Sequence, residues 1–223
     1  MKMNMITKIH KAIKTCLAIN RYYETKISLE ESRNTIKQNV SRRQDNFLTV
    51  IRERIYGYPN SPYKRILEHL GFSLKDIEQL INSKGIQGAL EELRQKGMFL
   101  TYLEFKCSQP VIRNGKAFEF KEEDFDNPFV SADFKARSGA TRSKGTKTPV
   151  SFVGLSKGLT YSNILFDMFD LRGSPAVVWY PILPAVAGLA CVLRYGNIGC
   201  PQVQWFSMVD AKKMKINNFD KFN

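Results

Sequence analysis

From Lys2 to about Tyr56 apolar residues recur every three or four positions, with no Gly or Pro before Gly57, which predicts long amphipathic helices. In the first, Met5, Ile9, Ile13 and Leu17 form a stripe, with Ile6 and Cys16 beside it and Lys8, Lys11 and Lys14 in between. In the next, Leu29, Ile36, Val40, Phe47, Leu48 and Ile51 lie opposite Glu30, Arg33, Lys37 and Gln44. The turn cluster Gly57-Tyr58-Pro59-Asn60-Ser61-Pro62 stops this pattern. Residues 62–97 then alternate short helical segments with glycine stops at Gly71, Gly85 and Gly97, and Ser73 with Asp76 predicts a cap for a helix over 74–81. Residues 99–115 are short, mixed and β-rich, with Arg113-Asn114-Gly115 as a hairpin turn, and an acidic run from Glu119 to Asp126 precedes Asn127-Pro128.

After Phe129 short apolar runs follow one another regularly. The pattern predicts an extended segment at 134–137, a polar loop, an extended segment at 149–153 and a helix over 160–169. A strand from Ala176, a helix from Pro184 and a strand over 202–208 complete it. Strand, helix, strand is a βαβ unit and implies a parallel sheet. The expected fold class is therefore α/β: an N-terminal helical region over 1–125, then an α/β region over 126–223 whose mostly parallel sheet carries helices on both faces. These are expected to be parts of one larger domain. The long helices of 1–56 are expected to pack against the sheet.

Composition narrows the function classes. The chain has 223 residues, 43% of them apolar, which excludes wholesale disorder. Its four cysteines, Cys16, Cys107, Cys191 and Cys200, have no C-x-x-C spacing, and His10 and His69 are the only histidines. A disulfide scaffold, a structural zinc site and histidine-based triad chemistry are all poorly supported. The net charge of +13 is unevenly spread. Residues 1–56 carry twelve basic and five acidic side chains, residues 57–125 ten of each, and residues 126–223 twelve basic and six acidic. Lys135, Arg137, Arg142, Lys144 and Lys147 cluster with no acid between Asp133 and Asp167, a density that attracts phosphate.

Membrane and export signals are missing from the reading. Lysines interrupt every apolar core near the N-terminus, which argues against a signal peptide and for a cytoplasmic protein. Its amphipathic stripe suits packing against the domain, with a membrane surface as the rival. Residues 175–193 are uncharged, but Pro175, Pro181, Pro184 and Gly188 break any spanning helix. A strand, a proline turn and a helix explain the same residues, so no membrane span is expected.

The most distinctive segment is Arg137-Ser138-Gly139-Ala140-Thr141-Arg142-Ser143-Lys144-Gly145-Thr146-Lys147-Thr148. Glycines let backbone N–H groups converge, hydroxyls add donors and lysines add charge, the combination that oligophosphates require. It is not a Walker A loop: five residues separate Gly139 from Gly145, Thr146-Lys147-Thr148 follows, and the continuation reads as extended rather than helical. The segment resembles the phosphate loop of the adenylate-forming superfamily, whose usual form is Ser/Thr-Ser-Gly-Thr/Ser-Thr-Gly-x-Pro-Lys. Ser138-Gly139-Ala140-Thr141 matches the first half, and Arg142-Ser143-Lys144-Gly145-Thr146-Lys147 looks like an expanded second half without the Pro-Lys ending. Upstream, Ser61-Pro62-Tyr63-Lys64-Arg65 and Gly71-Phe72 resemble the opening of phenylacetate–CoA ligase and acyl-protein synthetase relatives. Downstream, Val177-Val178-Trp179-Tyr180-Pro181 and the small-residue run Ala185-Val186-Ala187-Gly188-Leu189 resemble the strand and helix that follow the loop there.

The resemblance runs in order from about residue 50 to 210 and corresponds to the N-terminal half of such a ligase; the family's later adenine, ribose and lysine motifs have no counterpart. It implies an incomplete adenylate-forming large domain, ATP with Mg2+ as cofactors, and a carboxylic acid substrate. Ser138, Gly139, Thr141, Ser143, Lys144, Gly145, Thr146 and Lys147 would bind the ATP phosphates, with Tyr180 and Pro181 at the substrate pocket. The acid would attack the α-phosphate to give acyl-AMP and pyrophosphate, and CoA or a protein thiol would accept the acyl group. A second chain supplying the C-terminal half is the implied partner, and the chain alone is expected not to complete adenylation.

Rival readings attach to other residues. Cys107, Cys191 and Cys200 are conceivable acyl acceptors, with Cys191 read as core and Cys200 lacking any histidine after His69 to activate it. His69 reads as a surface residue. Glu122, Glu123, Asp124 and Asp126 offer carboxylates to a divalent ion but lack a ligand spacing. The alternative class is a basic nucleic-acid-binding protein, with Tyr22, Tyr23, Tyr56 and Tyr58 near Arg42, Arg43, Arg52 and Arg54, or a non-catalytic partner. The neutral middle third and the lack of a recognised motif weigh against nucleic acid.

Overall fold

The computed structural model describes residues 5–130, 133–137, 147–180 and 186–208. The chain divides into two compact units, Met1–Ile36 with Pro128–Asn223, and Lys37–Asn127. The N-terminal region opens with α1 (Met5–Glu24) and α2 (Leu29–Ser41). Ser28 begins α2 as a cap, its hydroxyl accepting from Glu31 N–H at 3.1 Å while Glu31 accepts from Ser28 N–H at 2.8 Å.

In the unit of residues 37–127, α3 (Arg43–Thr49) runs into a π-helical turn, Val50–Tyr56, closed by Gly57 N–H to the Arg52 carbonyl at 2.7 Å. Next come α4 (Pro62–His69), α5 (Leu74–Gln95) and α6 (Tyr102–Phe105). The Ser73–Asp76 capping box starts α5 as the sequence predicts, and Gly85, with φ 68°, breaks its helical geometry at the expected glycine. Ile77 and Ile81 are wholly buried, packed with Leu48, Ile51, Leu67, Ala89 and Leu93. The hairpin β1 (Val111–Arg113) and β2 (Lys116–Phe118) turns through Asn114 and Gly115, both at positive φ, the geometry of a tight two-residue turn. It closes a second cluster of Ile66, Val111 and Phe118.

In the other unit, β3 (Phe134–Arg137) pairs antiparallel with β4 (Lys147–Val150), from Phe134 opposite Val150 to Arg137 opposite Lys147. The helix α7 (Phe152–Met168) follows at once. Beyond it, β5 (Ala176–Trp179), α8 (Val186–Asn197) and β6 (Val203–Phe206) form the predicted βαβ unit, with β5 and β6 parallel. Tyr22 of α1 lies in the same core as Phe152, Leu159 and Leu193. Two asparagines anchor the α1–α2 junction. Asn197 donates to the Tyr22 and Thr25 carbonyls at 2.6 and 3.2 Å, and Asn163 donates to the Ile27 carbonyl at 2.7 Å and Ser32 Oγ at 3.2 Å.

The mixed α/β class holds, and two sequence expectations are corrected. First, among the described residues the strands form three separate two-stranded sheets rather than one mostly parallel sheet. Consecutive strands without a crossover pair antiparallel, so β3 and β4 close on each other, and only α8 supplies a crossover. Nor, among the described residues, do helices cover both faces of the parallel pair. Trp205 faces α8 so closely that a Cβ on Gly188 would stand 2.5 Å from its Cζ2, whereas Val177, Trp179 and Phe206 on the opposite face are 62%, 67% and 51% exposed. Second, the segment 149–153 is not all strand and the helix does not wait for residue 160. Ser151 caps α7 by accepting from Gly154 N–H at 3.0 Å. Gly154 and Gly158 lower local helix propensity, which hid this start. The compact units group residues 1–36 with 128–223, held by Tyr22 and the two asparagines.

Candidate functional site

The residues expected to bind phosphates, Ser138, Gly139, Thr141, Ser143, Lys144, Gly145 and Thr146, lie outside the described residues, as does Pro181. Lys147 is the first residue of β4. What the fold fixes is the frame. Arg137 and Lys147 are Cα partners, so the Ser/Thr/Gly/Lys segment leaves and re-enters the fold through adjacent strand ends.

Asp133 ties that frame to α7. Its N–H donates to the Val150 carbonyl at 2.9 Å, and its carboxylate accepts from Phe152 N–H at 2.8 Å. Ser151 takes a second N–H of the first turn. A carboxylate at a helix N-terminus satisfies donors that nothing within the helix can reach and complements the dipole. Two donors of the α7 first turn are thus already engaged and are not free for an anion. The strand between the loop and α7 separates this arrangement from a Walker A loop even though a helix follows sooner than expected.

Tyr180 sits just beyond β5. Its N–H donates to the Phe206 carbonyl at 3.2 Å and its carbonyl accepts from Trp205 Nε1 at 2.9 Å, leaving the side chain 44% exposed at the end of the parallel pair. That is the edge at which α/β sheets bind ligands. The structure does not bring Tyr180 to the loop through any described contact.

The rival chemistries fare differently. All four cysteines are free. Burial, and then the charges of Glu122, Asp124 and Glu123, push the Cys107 thiol up, and burial pushes up that of Cys200, the opposite of an activated nucleophile. His69 is half-buried rather than a surface residue, its Nε2 3.0 Å from the Arg113 carbonyl and its ring edge-on to Phe118. Among the described residues no three His, Cys, Asp or Glu side chains gather as a metal site. Asp124 turns back to accept from Lys121 N–H at 2.8 Å, which uses one carboxylate oxygen of the acidic run.

Two of the four tyrosines that lie near arginines in the sequence are engaged within the fold. Tyr22 is buried, and the Tyr56 hydroxyl donates to the Phe72 carbonyl at 2.8 Å. Arg52 pairs with Glu78. Among the described residues no helix is long and apolar enough to cross a membrane.

Sequence reasoning missed Arg113, whose guanidinium is buried against Glu104, and the pair Tyr22 and Arg194, each with a buried polar atom lacking a partner. In β1 Val111 and Arg113 point inward and Ile112 outward, an alternation that the run Val-Ile-Arg does not show. No family model, curated protein or solved structure matches the chain.

Proposed function

We propose that this chain is the N-terminal portion of an ATP-dependent, carboxylate-activating ligase of the phenylacetate–CoA ligase type, with residues 138–148 as the cradle for ATP phosphates. The observation that carries the reading is the β3–β4 pairing, because it holds both ends of a Ser/Thr/Gly/Lys segment side by side, whereas a basic linker needs no such closure. The βαβ unit that follows, with Tyr180 just beyond its first strand, supports it.

In this reading the loop N–H groups, the hydroxyls of Ser138, Thr141, Ser143 and Thr146, and Lys144 and Lys147 pair the β- and γ-phosphate oxygens. Mg2+ enters with ATP as its counter-ion. The donors stabilise charge on the departing pyrophosphate as the substrate carboxylate attacks the α-phosphate. Tyr180 and Pro181 border the acid pocket, and CoA or a protein thiol accepts the acyl group. The uncovered face of the β5–β6 pair, with Val177, Trp179 and Phe206 exposed, supports a requirement for further polypeptide, because parallel sheets are stable when both faces are covered. A second chain carrying the remaining half fits that requirement.

Charge-assisted pairing of one lysine with a partly desolvated phosphate contributes about 1.5–3 kcal/mol. Lys144→Ala or Lys147→Ala should therefore weaken ATP or pyrophosphate binding by about one to two decades, while Lys75→Ala leaves it nearly unchanged. Calorimetric titration of the four proteins at two ionic strengths checks this. Equal losses in all three variants, with binding abolished by salt, would reduce the loop to a diffuse charged patch.

A further inference from the structure

Two polar atoms in the unit of residues 1–36 and 128–223 are buried without a hydrogen-bond partner: the Tyr22 hydroxyl and Arg194 Nε. Tyr22 is only 2% exposed, within the cluster of Phe152, Leu159 and Leu193. Arg194 follows Leu193 in the last turn of α8. Its guanidinium lies against Gly158 of α7, where a Cβ would stand 3.6 Å from Nη2 and 3.9 Å from Nε. Tyr22 packs with Leu159 and Leu193, the chain neighbours of Gly158 and Arg194, so it stands beside the same α7–α8 contact, and burial lifts its hydroxyl to about 12 with the Arg194 charge opposing that rise. The acids of α1 and α7 are engaged elsewhere: Asp167 with Arg33 and Arg172, Glu24 with Asn20. Among the described residues no carboxylate pairs with Arg194.

Both orphaned groups are donors. A guanidinium edge left without an acceptor in a buried place is costly, and a neutral side chain offers it no compensating charge. One acceptor with several lone pairs and a negative charge satisfies both groups at once. We propose that the Tyr22 hydroxyl and the Nε edge of Arg194, laid over Gly158, form an oxyanion-binding site that takes one carboxylate or phosphate group. The site is built from α1, α7 and α8, uses no residue of the 138–148 loop, and stands independently of the ligase reading.

The test is calorimetric titration of the full chain with sodium phosphate and with sodium acetate, each against sodium chloride at matched ionic strength. The expected result is saturable binding of at least one oxyanion beyond chloride, and the preferred one identifies the group as phosphate or carboxylate. Tyr22→Phe should weaken that binding about tenfold or more, Arg194→Gln should abolish it, and Lys75→Ala should bind like the wild type. Should Arg194→Gln fail to fold, Tyr22→Phe decides alone, because it removes only a hydroxyl that has no partner. No binding beyond chloride, as when an ordered water alone fills the place, overturns the proposal. So does undiminished binding by Tyr22→Phe.

Discussion

Arg113→Met is expected to destabilise the unit of residues 37–127 by about 3–5 kcal/mol, the usual cost of breaking a buried ion pair from one side. The pair is buried on both sides, with the Arg113 side chain 9% and the Glu104 side chain 6% exposed. Arg113 Nη1 and Nη2 donate to the two Glu104 carboxylate oxygens at 2.8 and 3.1 Å. The same guanidinium donates to the Gly97, Ile112 and Phe99 carbonyls at 2.6, 2.7 and 2.5 Å and lies over the Phe99 ring. One side chain thus closes the segment after α5, the short helix α6 and the hairpin β1–β2. Removing it leaves a buried carboxylate and three carbonyls short of donors.

The same pair sets an acid limit. Hydrogen bonding to Arg113, against the opposing effect of burial, holds the Glu104 carboxyl below its ordinary value of 4.5. A depressed carboxyl contributes fully above its unfolded value, and that contribution is lost as pH falls through the ordinary carboxylate range and below it. Urea unfolding at pH 7 and at stepped lower pH, followed by circular dichroism, checks both points. The wild type should lose stability on acidification more steeply than Arg113→Met, which has already lost the pairing. A variant as stable as the wild type at pH 7 would contradict the assignment of Arg113 as the clasp.

The second large effect is expected at the α1–α2 junction. Asn163 and Asn197 are 3% and 6% exposed, and together they satisfy three backbone carbonyls and the Ser32 hydroxyl. Replacing either by Ala leaves buried acceptors without donors, at about 1–3 kcal/mol. Because both grip residues 22–32, the double variant should not be the simple sum of the singles. Limited trypsin digestion should cut at Arg21 and Lys26 well before residues 152–197 in either variant, and only late in the wild type. Unchanged cleavage at those sites would show that the junction is held by apolar packing alone.

Local signals were legible in the sequence and distant ones were not. Ser73 with Asp76, the Asn114-Gly115 turn and the glycine at 85 act within a few residues, so spacing reveals them. The βαβ order of β5, α8 and β6 was legible for the same reason: strand and helix runs follow one another with turn residues between. Arg113 was hidden because it reads as a turn residue while its partners lie nine to sixteen positions away. Asn163 and Asn197 were hidden more deeply. Their carbonyl partners lie 136 and 175 positions off, and an asparagine in a helix carries no mark of a distant acceptor. The sheet was misjudged at β3–β4 because the polar segment was read for its chemistry, and its consequence for pairing direction was not drawn. Of the candidate site, composition located the segment, and the fold contributes its closed ends and the Asp133 clasp to α7.

The central claim is that residues 138–148 wrap phosphates with their own backbone. Amide nuclear magnetic resonance of the full chain during a pyrophosphate titration tests it most directly. The predicted result is a saturable set of amide shifts confined to Gly139, Thr141, Gly145, Thr146 and their neighbours, retained at raised ionic strength and lost in Lys144→Ala. Shifts spread over the lysines of residues 1–26 as well, growing without saturation and disappearing with salt, would contradict it.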